Sequence, residues 1–327
     1  MAAALFFLAY LMLNSGIQFT YAIPISFVVA GVLVMKGLKR FAITLPAFAV
    51  LLISMLVLGG ATAGPSVITS VSEDHVITTA QIPSINAINI TARSVEGGIK
   101  LYFSDDNSEA CKIQFVKEYG AVAVGSGVQY NGPSAYNNEP ASIFYYYVNN
   151  SELYVIADSF TTLMNITVNK NLIGNFSLYS YFGDLKANVP SNVNTVQTLN
   201  LTSVSGTENL KVSNTANLRY LWAQTGNMIQ ADITSNMQNQ ESAIVLNGGT
   251  VKLNIDVTNV ETQIFCFQTT QWGTMQTNTH GFNVLNNNSF FNAQTPNYDL
   301  SSLKNLEINA TSTQSTRPSL DITAIYN

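Results

Sequence analysis

"TVKLNIDV", residues 250–257, alternates without a break: Val251, Leu253, Ile255 and Val257 share one phase, while Lys252, Asn254 and Asp256 take the other. A period of two is what a strand needs when one side meets a core and the other meets water. "GIKLYF" (98–103) and "CKIQF" (111–115) repeat the pattern. Further alternating runs stand at 86–92, 152–158, 164–169, 176–182, 198–202, 210–213, 229–233, 243–246 and 263–268. Clusters such as "DDNSE", "NGPSAYNNEP" and "NVPSNVN" punctuate them with turn-forming residues. Residues 64–327 therefore read as an all-β domain.

Glycine suggests how its strands are arranged. Gly174, Gly206, Gly226 and Gly249 each open a short run, in "GNFSLYSY", "GTENLKV", "GNMIQADI" and "GGTVKLNI", with spacings of 32, 20 and 23 residues. A tight turn feeding one alternating strand at such intervals predicts a β-solenoid-like domain built from single-strand coils. A β-sandwich is the alternative, since a glycine turn at multiples of 8 to 12 residues serves it equally.

The first 63 residues differ in kind. Residues 17–35 and 41–60 are apolar runs long enough to span a bilayer as helices, and "KGLKR" lies between them. Two readings stand. Residues 1–63 form a membrane region, a two-helix hairpin held through residues 17–60 with its cationic turn in the cytoplasm and both ends outside. Alternatively Met35 is the start, and residues 35–63 are a signal peptide cleaved near Ala63, after "ATA". Under either reading the part from residue 64 lies outside, anchored at the cell surface or secreted.

Charge narrows the partners. All 19 Asp and Glu follow position 64, with eleven of the 14 Lys and Arg, so the β part carries 11 − 19 = −8. No basic patch marks a nucleic-acid footprint, and DNA and RNA are excluded as partners. Asn, Ser, Thr, Gln and Tyr supply the polarity, and amides and hydroxyls keep their hydration where carboxylates protonate. An acidic, hot or extracellular habitat fits that surface.

"IPSINAINITARSVEGGIKLYFSDDNSEACKIQF" (82–115), followed by the glycine-led runs, resembles the putative-adhesin family of bacterial and archaeal surface proteins. The resemblance spans residues 78–295. It implies a β-rich, coil-like exposed domain and carries no catalytic residues with it.

Individual residues offer few sites. Asn89, Asn149, Asn165, Asn175, Asn200, Asn287 and Asn309 stand in N-glycosylation sequons. In a chain so rich in Asn their number means nothing, but Asn89, Asn165 and Asn200 fall on the outward phase of their strands. Cys111 and Cys266, the only cysteines, either form one disulfide in an oxidising exterior or are two separately buried thiols. His75 and His280 lack companions for a metal site. Asp105, Asn107 and Glu109 in "SDDNSE" imitate the start of a calcium loop without its glycine or distal Glu, and an Asx-rich turn is preferred. Tyr145, Tyr146 and Tyr147, with Trp222, are candidate contact aromatics, for sugar stacking or a protein partner. Nucleophile-elbow, phosphate-loop, dinucleotide and zinc-protease motifs are missing from the sequence.

The sequence thus predicts a non-catalytic, adhesin-like cell-surface protein, without cofactor or metal, that binds surface glycan or protein. Two alternatives stand beside it. One is a structural subunit of a filament or lattice, self-associating through a terminal strand (64–72 or 320–327) that completes a neighbour's sheet. The other is a glycan-active enzyme with paired carboxylates.

Overall fold

A computed structural model describes residues 67–124, 127–130, 142–269, 274–287, 290–313 and 319–327. In chain order the strands are β1 (Val67–Thr78), β2 (Ala87–Ser94), β3 (Ile99–Ser104), β4 (Glu109–Val124), β5 (Gly127–Tyr130), β6 (Ile143–Asn149) and β7 (Glu152–Ser159). They continue as β8 (Leu163–Asn169), β9 (Ile173–Ser180), β10 (Leu185–Val189), β11 (Val196–Ser203), β12 (Glu208–Val212), β13 (Tyr220–Ser235) and β14 (Ser242–Val257). The last are β15 (Glu261–Gln268), β16 (Met275–His280), β17 (Asn283–Asn287), β18 (Phe290–Gln294), β19 (Asn305–Ser312) and β20 (Leu320–Tyr326).

The chain divides into two compact units, Met1–Thr69 with Tyr119–Ser134, and Ser70–Glu118 with Ala135–Asn327. In the first, the end of β4 pairs with β5 as an antiparallel hairpin, Ala121 opposite Tyr130 and Val124 opposite Gly127.

The second unit is built from two parallel ladders. One, the aromatic ladder, runs β7, β2, β9, β11, the first half of β13, the first half of β14, β19 and β15. Antiparallel strands close its ends: β6 on β7, and β18 with β17 on β15. The other, the lysine ladder, runs β8, β3, β10, β12, the second halves of β13 and β14, β20 and β16. The antiparallel β4 closes it at β8, and β1 pairs with β4. The ladders merge through the long strands β13 and β14 into one sheet, barrel-like and nearly closed on itself. Their inward residues form a single core, with Ile90, Leu101, Leu178, Leu201 and Leu253 at most 1% exposed. Side chains meet across it, as where Phe103 of β3 touches Phe176 of β9 edge to face at 5.7 Å.

Where the chain turns from the aromatic ladder into the lysine ladder, a Ser-x-x-Gly corner recurs. The Ser180 Oγ accepts the Gly183 N–H at 2.8 Å and donates to the Gly97 carbonyl at 3.1 Å. Ser203 does the same between Gly206 and Gly183, and Thr225 donates to the Gly206 carbonyl. Each buried hydroxyl therefore satisfies backbone groups of its own corner and of the one beside it. The glycines stack so closely that a Cβ on Gly183 would overlap the Gly97 carbonyl, and one on Gly206 the Gly183 carbonyl.

These findings correct the expected fold class. The described residues contain no helix, and none long and apolar enough to cross a membrane. The hydrophobic helices expected over 1–63, with the signal-peptide reading of 35–63, lie outside the described residues. A β-solenoid of single-strand coils is not what forms, nor is a β-sandwich, whose sheets would be antiparallel. Each passage of the chain adds a strand to both ladders, and glycine sits at the corner between those strands rather than at the head of a coil. Chain order also fails to match spatial order, because β2 lies between β7 and β9.

Candidate functional site

Because side chains alternate, each ladder shows one row set to the core and one outward. The two outward faces differ sharply. On the lysine ladder, Lys100, Lys186, Lys211 and Lys252 are interleaved with Asp232, Asp256 and Asp321. Amides tie this face together: the Asn254 Nδ2 donates to Asp232 at 2.7 Å, and the Asn327 Nδ2 to Asp256 at 2.8 Å. It is a solvated, locally neutralised surface.

The aromatic ladder presents something else. Among the described residues its strands hold one cation, Arg93, bound through two hydrogen bonds of 3.0 and 3.2 Å to Asp158. Aromatic side chains gather on its outward face at three stations, with Tyr179 of β9 standing singly between the first two. The first is Tyr145 and Tyr147 of β6, each 49% exposed, with Tyr154 of β7. The Tyr147 and Tyr154 rings stack 4.9 Å apart and only 4° from parallel. That separation matches the strand spacing of about 4.8 Å, so the rings stand across the sheet and present their edges outward. The second station is Tyr220 and Trp222 of β13, with centroids 6.3 Å apart. The third is Phe265 and Phe267 of β15 with Phe290 of β18. Four strand steps separate the first two stations and three the next, distances of about 19 and 14 Å.

Amides and hydroxyls fill the intervals. Tyr154, Asn89, Asn175, Thr198 and Tyr220 occupy one continuous row. Within it the Asn175 Nδ2 donates to the Asn89 Oδ1 at 3.0 Å, and the Asn89 Nδ2 to the Glu152 Oε2 at 3.1 Å. The Tyr154 hydroxyl donates to that same carboxylate oxygen at 2.6 Å, which raises the tyrosine's pKa because ionisation would lose the bond. Nearer the third station, the Tyr298 hydroxyl lies 3.3 Å from Glu307, and burial together with that carboxylate pushes it up to about 12. Such a face can stack, hydrogen-bond and exclude water, and it repels anions.

The structure sorts the residues singled out from sequence. Tyr145, Tyr147 and Trp222 share this face. Tyr146 does not, because it takes the opposite phase with Phe144, and the two rings lie 6.2 Å apart. Tyr154, Tyr220, Phe265, Phe267 and Phe290 were missed; each stands on an outward phase, but only the strand pairing gathers them. Among the sequons, Asn89 and Asn175 are tied into the amide row, and the Asn165 Nδ2 donates to Gln114 on the other ladder. Asn200 is half-buried beside Trp222 with its Oδ1 unpaired. Asn149, Asn287 and Asn309 are exposed.

His75 lies against the Phe144 ring at 4.3 Å, with its Nε2 3.0 Å from Glu73; His280 is exposed at the end of β16. "SDDNSE" is a turn in which Asp106 accepts the Ser108 N–H and hydroxyl. No three His, Cys, Asp or Glu come together among the described residues.

Of the two readings of the cysteines, the geometry is that of separately buried thiols. Cys111 in β4 and Cys266 in β15 are free and buried, near opposite ends of the stack, with the β3, β10 and β12 levels between them. Each sits at an inward strand position where a small apolar group is needed, and burial pushes both thiols up to about 12. Neither is expected to react with a thiol reagent at pH 8 in the folded protein, and both should react in 8 M urea without reductant. Labelling before unfolding would contradict their placement; no labelling after it would reveal a bridge.

No family model matches the chain, so the resemblance to the putative-adhesin family gains no support there, and no curated protein matches it. Among solved structures, a Clostridium sporogenes protein named putative cell adhesion protein is similar. The two share 13% identity over 79% of this chain and 100% of that one, with a TM-score of 0.44. A likeness at that level carries no argument about function.

Proposed function

We propose that this is a non-catalytic, adhesin-like contact protein of the cell surface that uses the outward face of the aromatic ladder to hold an extended, uncharged glycan. The observation that carries the reading is the three aromatic stations on one cation-poor face, joined by rows of Asn, Ser and Thr. Aromatic groups meet the apolar faces of sugar rings, and amides and hydroxyls meet their hydroxyl groups. Tyr147 has a further asset, since β6 is paired on one side only among the described residues and the ring has no neighbouring strand beyond it. One aromatic contact is worth about 0.5–1.5 kcal/mol, too little alone, so affinity must come from several stations engaged by one chain. A glycan long enough to bridge about 19 Å should bind far better than one that reaches a single station.

The described parts of both segments expected to serve as filament donors, 67–72 and 320–326, lie in strands of their own sheets. β20 lies between β14 and β16, and β1 pairs with β4. That favours contact through a face over completion of a neighbour's sheet.

Full-length protein, kept dispersed in detergent, should be retained on insoluble neutral polysaccharides. Tyr147→Ala combined with Trp222→Ala should weaken retention about 10-fold or more. Lys186→Ala with Lys211→Ala on the opposite face should leave it within about 2-fold, and raising salt should change little. Retention that follows the lysines and falls with salt would overturn the proposal.

A further inference from the structure

Glu208 opens β12 at a position where the sheet otherwise places aliphatic side chains. Across the lysine ladder the inward row reads Ile99, Leu185, Glu208, Ile229, Val251, Leu320. Glu208 is 0% exposed, like its neighbours, and neither carboxyl oxygen makes a hydrogen bond of ordinary geometry, although the Ser203 and Gln224 backbone amides lie near enough to favour the charged form a little.

The charged and titratable groups of the surrounding strands point elsewhere. Lys186 of β10, Lys211 of β12, and Tyr220 and Asp232 of β13 occupy outward phases, and β11 carries no titratable side chain. Asp184, before β10, is exposed and spends its Oδ1 on the Thr207 N–H at 2.7 Å. A carboxylate in that row would have lost its water and gained no cation, whereas a neutral carboxylic acid fits with far less cost.

We propose that Glu208 is a proton-held latch: it stays neutral in the folded protein, so the middle of the sheet is tightest in acid and loosens as the surroundings become alkaline.

Burial pushes this carboxyl from 4.5 up to about 8, against a smaller pull from the backbone amides of Ser203 and Gln224. Between those values the folded chain holds a proton that the unfolded chain has released. Stability is therefore full below 4.5 and falls as pH rises towards 8. The unfolding constant should rise by up to about 10-fold per pH unit in that window and level off beyond it. Exposed carboxylates set the acid limit. Asp74, Asp106 and Asp299 are held below 3.8 by hydrogen bonds from Lys112, Ser108 and Ser301, and what they contribute is lost only as pH drops through that region. Maximal stability at mildly acid pH follows, in keeping with an amide- and hydroxyl-rich surface.

The test is urea unfolding of the full-length protein at pH 5, 6, 7, 8 and 9, beside Glu208→Gln and Glu208→Leu. The expected result is a wild-type midpoint that falls from pH 5 to pH 8 and midpoints that stay level for both variants. A level wild-type profile, or a slope that survives in either variant, overturns the proposal. Should neither variant fold, infrared titration of the wild type decides. A protonated-carboxyl band present at pH 7 and fading with a midpoint near 8 supports the latch, and its absence at pH 7 contradicts it.

Discussion

Alanine in place of Gly183 should unfold the protein, or destabilise it by about 3 kcal/mol or more, although it adds one methyl group. The reason lies in the corner stack. A Cβ at this position would overlap the Gly97 carbonyl oxygen and crowd the Gly98 nitrogen, both of them backbone atoms held by neighbouring strands. Flexible side chains can turn away from such an intrusion; ladder backbone cannot without parting β3 from β10. The same carbonyl accepts the Ser180 hydroxyl, so moving it also strands a buried donor. Val204→Ala, in the next corner but exposed, should change stability by no more than about 0.5 kcal/mol. Thermal melts of the two variants make the comparison, and a Gly183→Ala protein as stable as wild type would remove the stacked corner from the account.

Phe176→Ala should cost about 3–5 kcal/mol. Phe176 is buried in β9, where it spans the core to Phe103 of β3, and its loss opens a cavity where the two ladders meet. Gly174 is part of the same arrangement. A Cβ there would sit 2.5 Å from the Phe176 ring, so this glycine makes room for a side chain rather than for a turn. The pair should therefore be coupled: Gly174→Ala destabilises the wild type but costs much less beside Phe176→Leu, whose side chain leaves that space free. Additive effects in the double-mutant cycle would show that the glycine has another role.

That glycine also shows why the sequence led to the wrong coil. Gly174, Gly206, Gly226 and Gly249 looked equivalent, but only Gly206 lies in a turn between two strands; Gly174 lies inside β9, and Gly226 and Gly249 lie where the long strands β13 and β14 pass from one ladder to the other. The informative signature was the hydroxyl three places ahead, in Ser180 to Gly183 and Ser203 to Gly206, because it names the group that satisfies the turn. Alternation was legible: Val251, Leu253, Ile255 and Val257 are all buried. Pairing was not, since a period of two fixes which side of a strand is wet and leaves its neighbours open. Nothing local places β2 between β7 and β9.

The aromatic face was legible in the same partial way. Tyr145, Tyr146 and Tyr147 read as one block in the sequence, but a strand sends Tyr145 and Tyr147 one way and Tyr146, with Phe144, the other. Tyr154, Tyr220 and Phe265 join the first pair only through register. Glu208 was readable in principle, because "ENLKV" places it in phase with Leu210 and Val212. A charge on an apolar phase is a local contradiction, and such contradictions mark positions with a task of their own.

The division of labour between the two faces is the central claim, and footprinting tests it most directly. Hydroxyl-radical oxidation of the full-length protein, with and without a long neutral polysaccharide, reports side-chain protection by mass spectrometry. The account predicts protection at Tyr145, Tyr147, Tyr220, Trp222 and Phe267, with Tyr102 and Ile325 on the lysine ladder unchanged. Protection centred on the lysine ladder, or none on the aromatic stations while the glycan is bound, would contradict it.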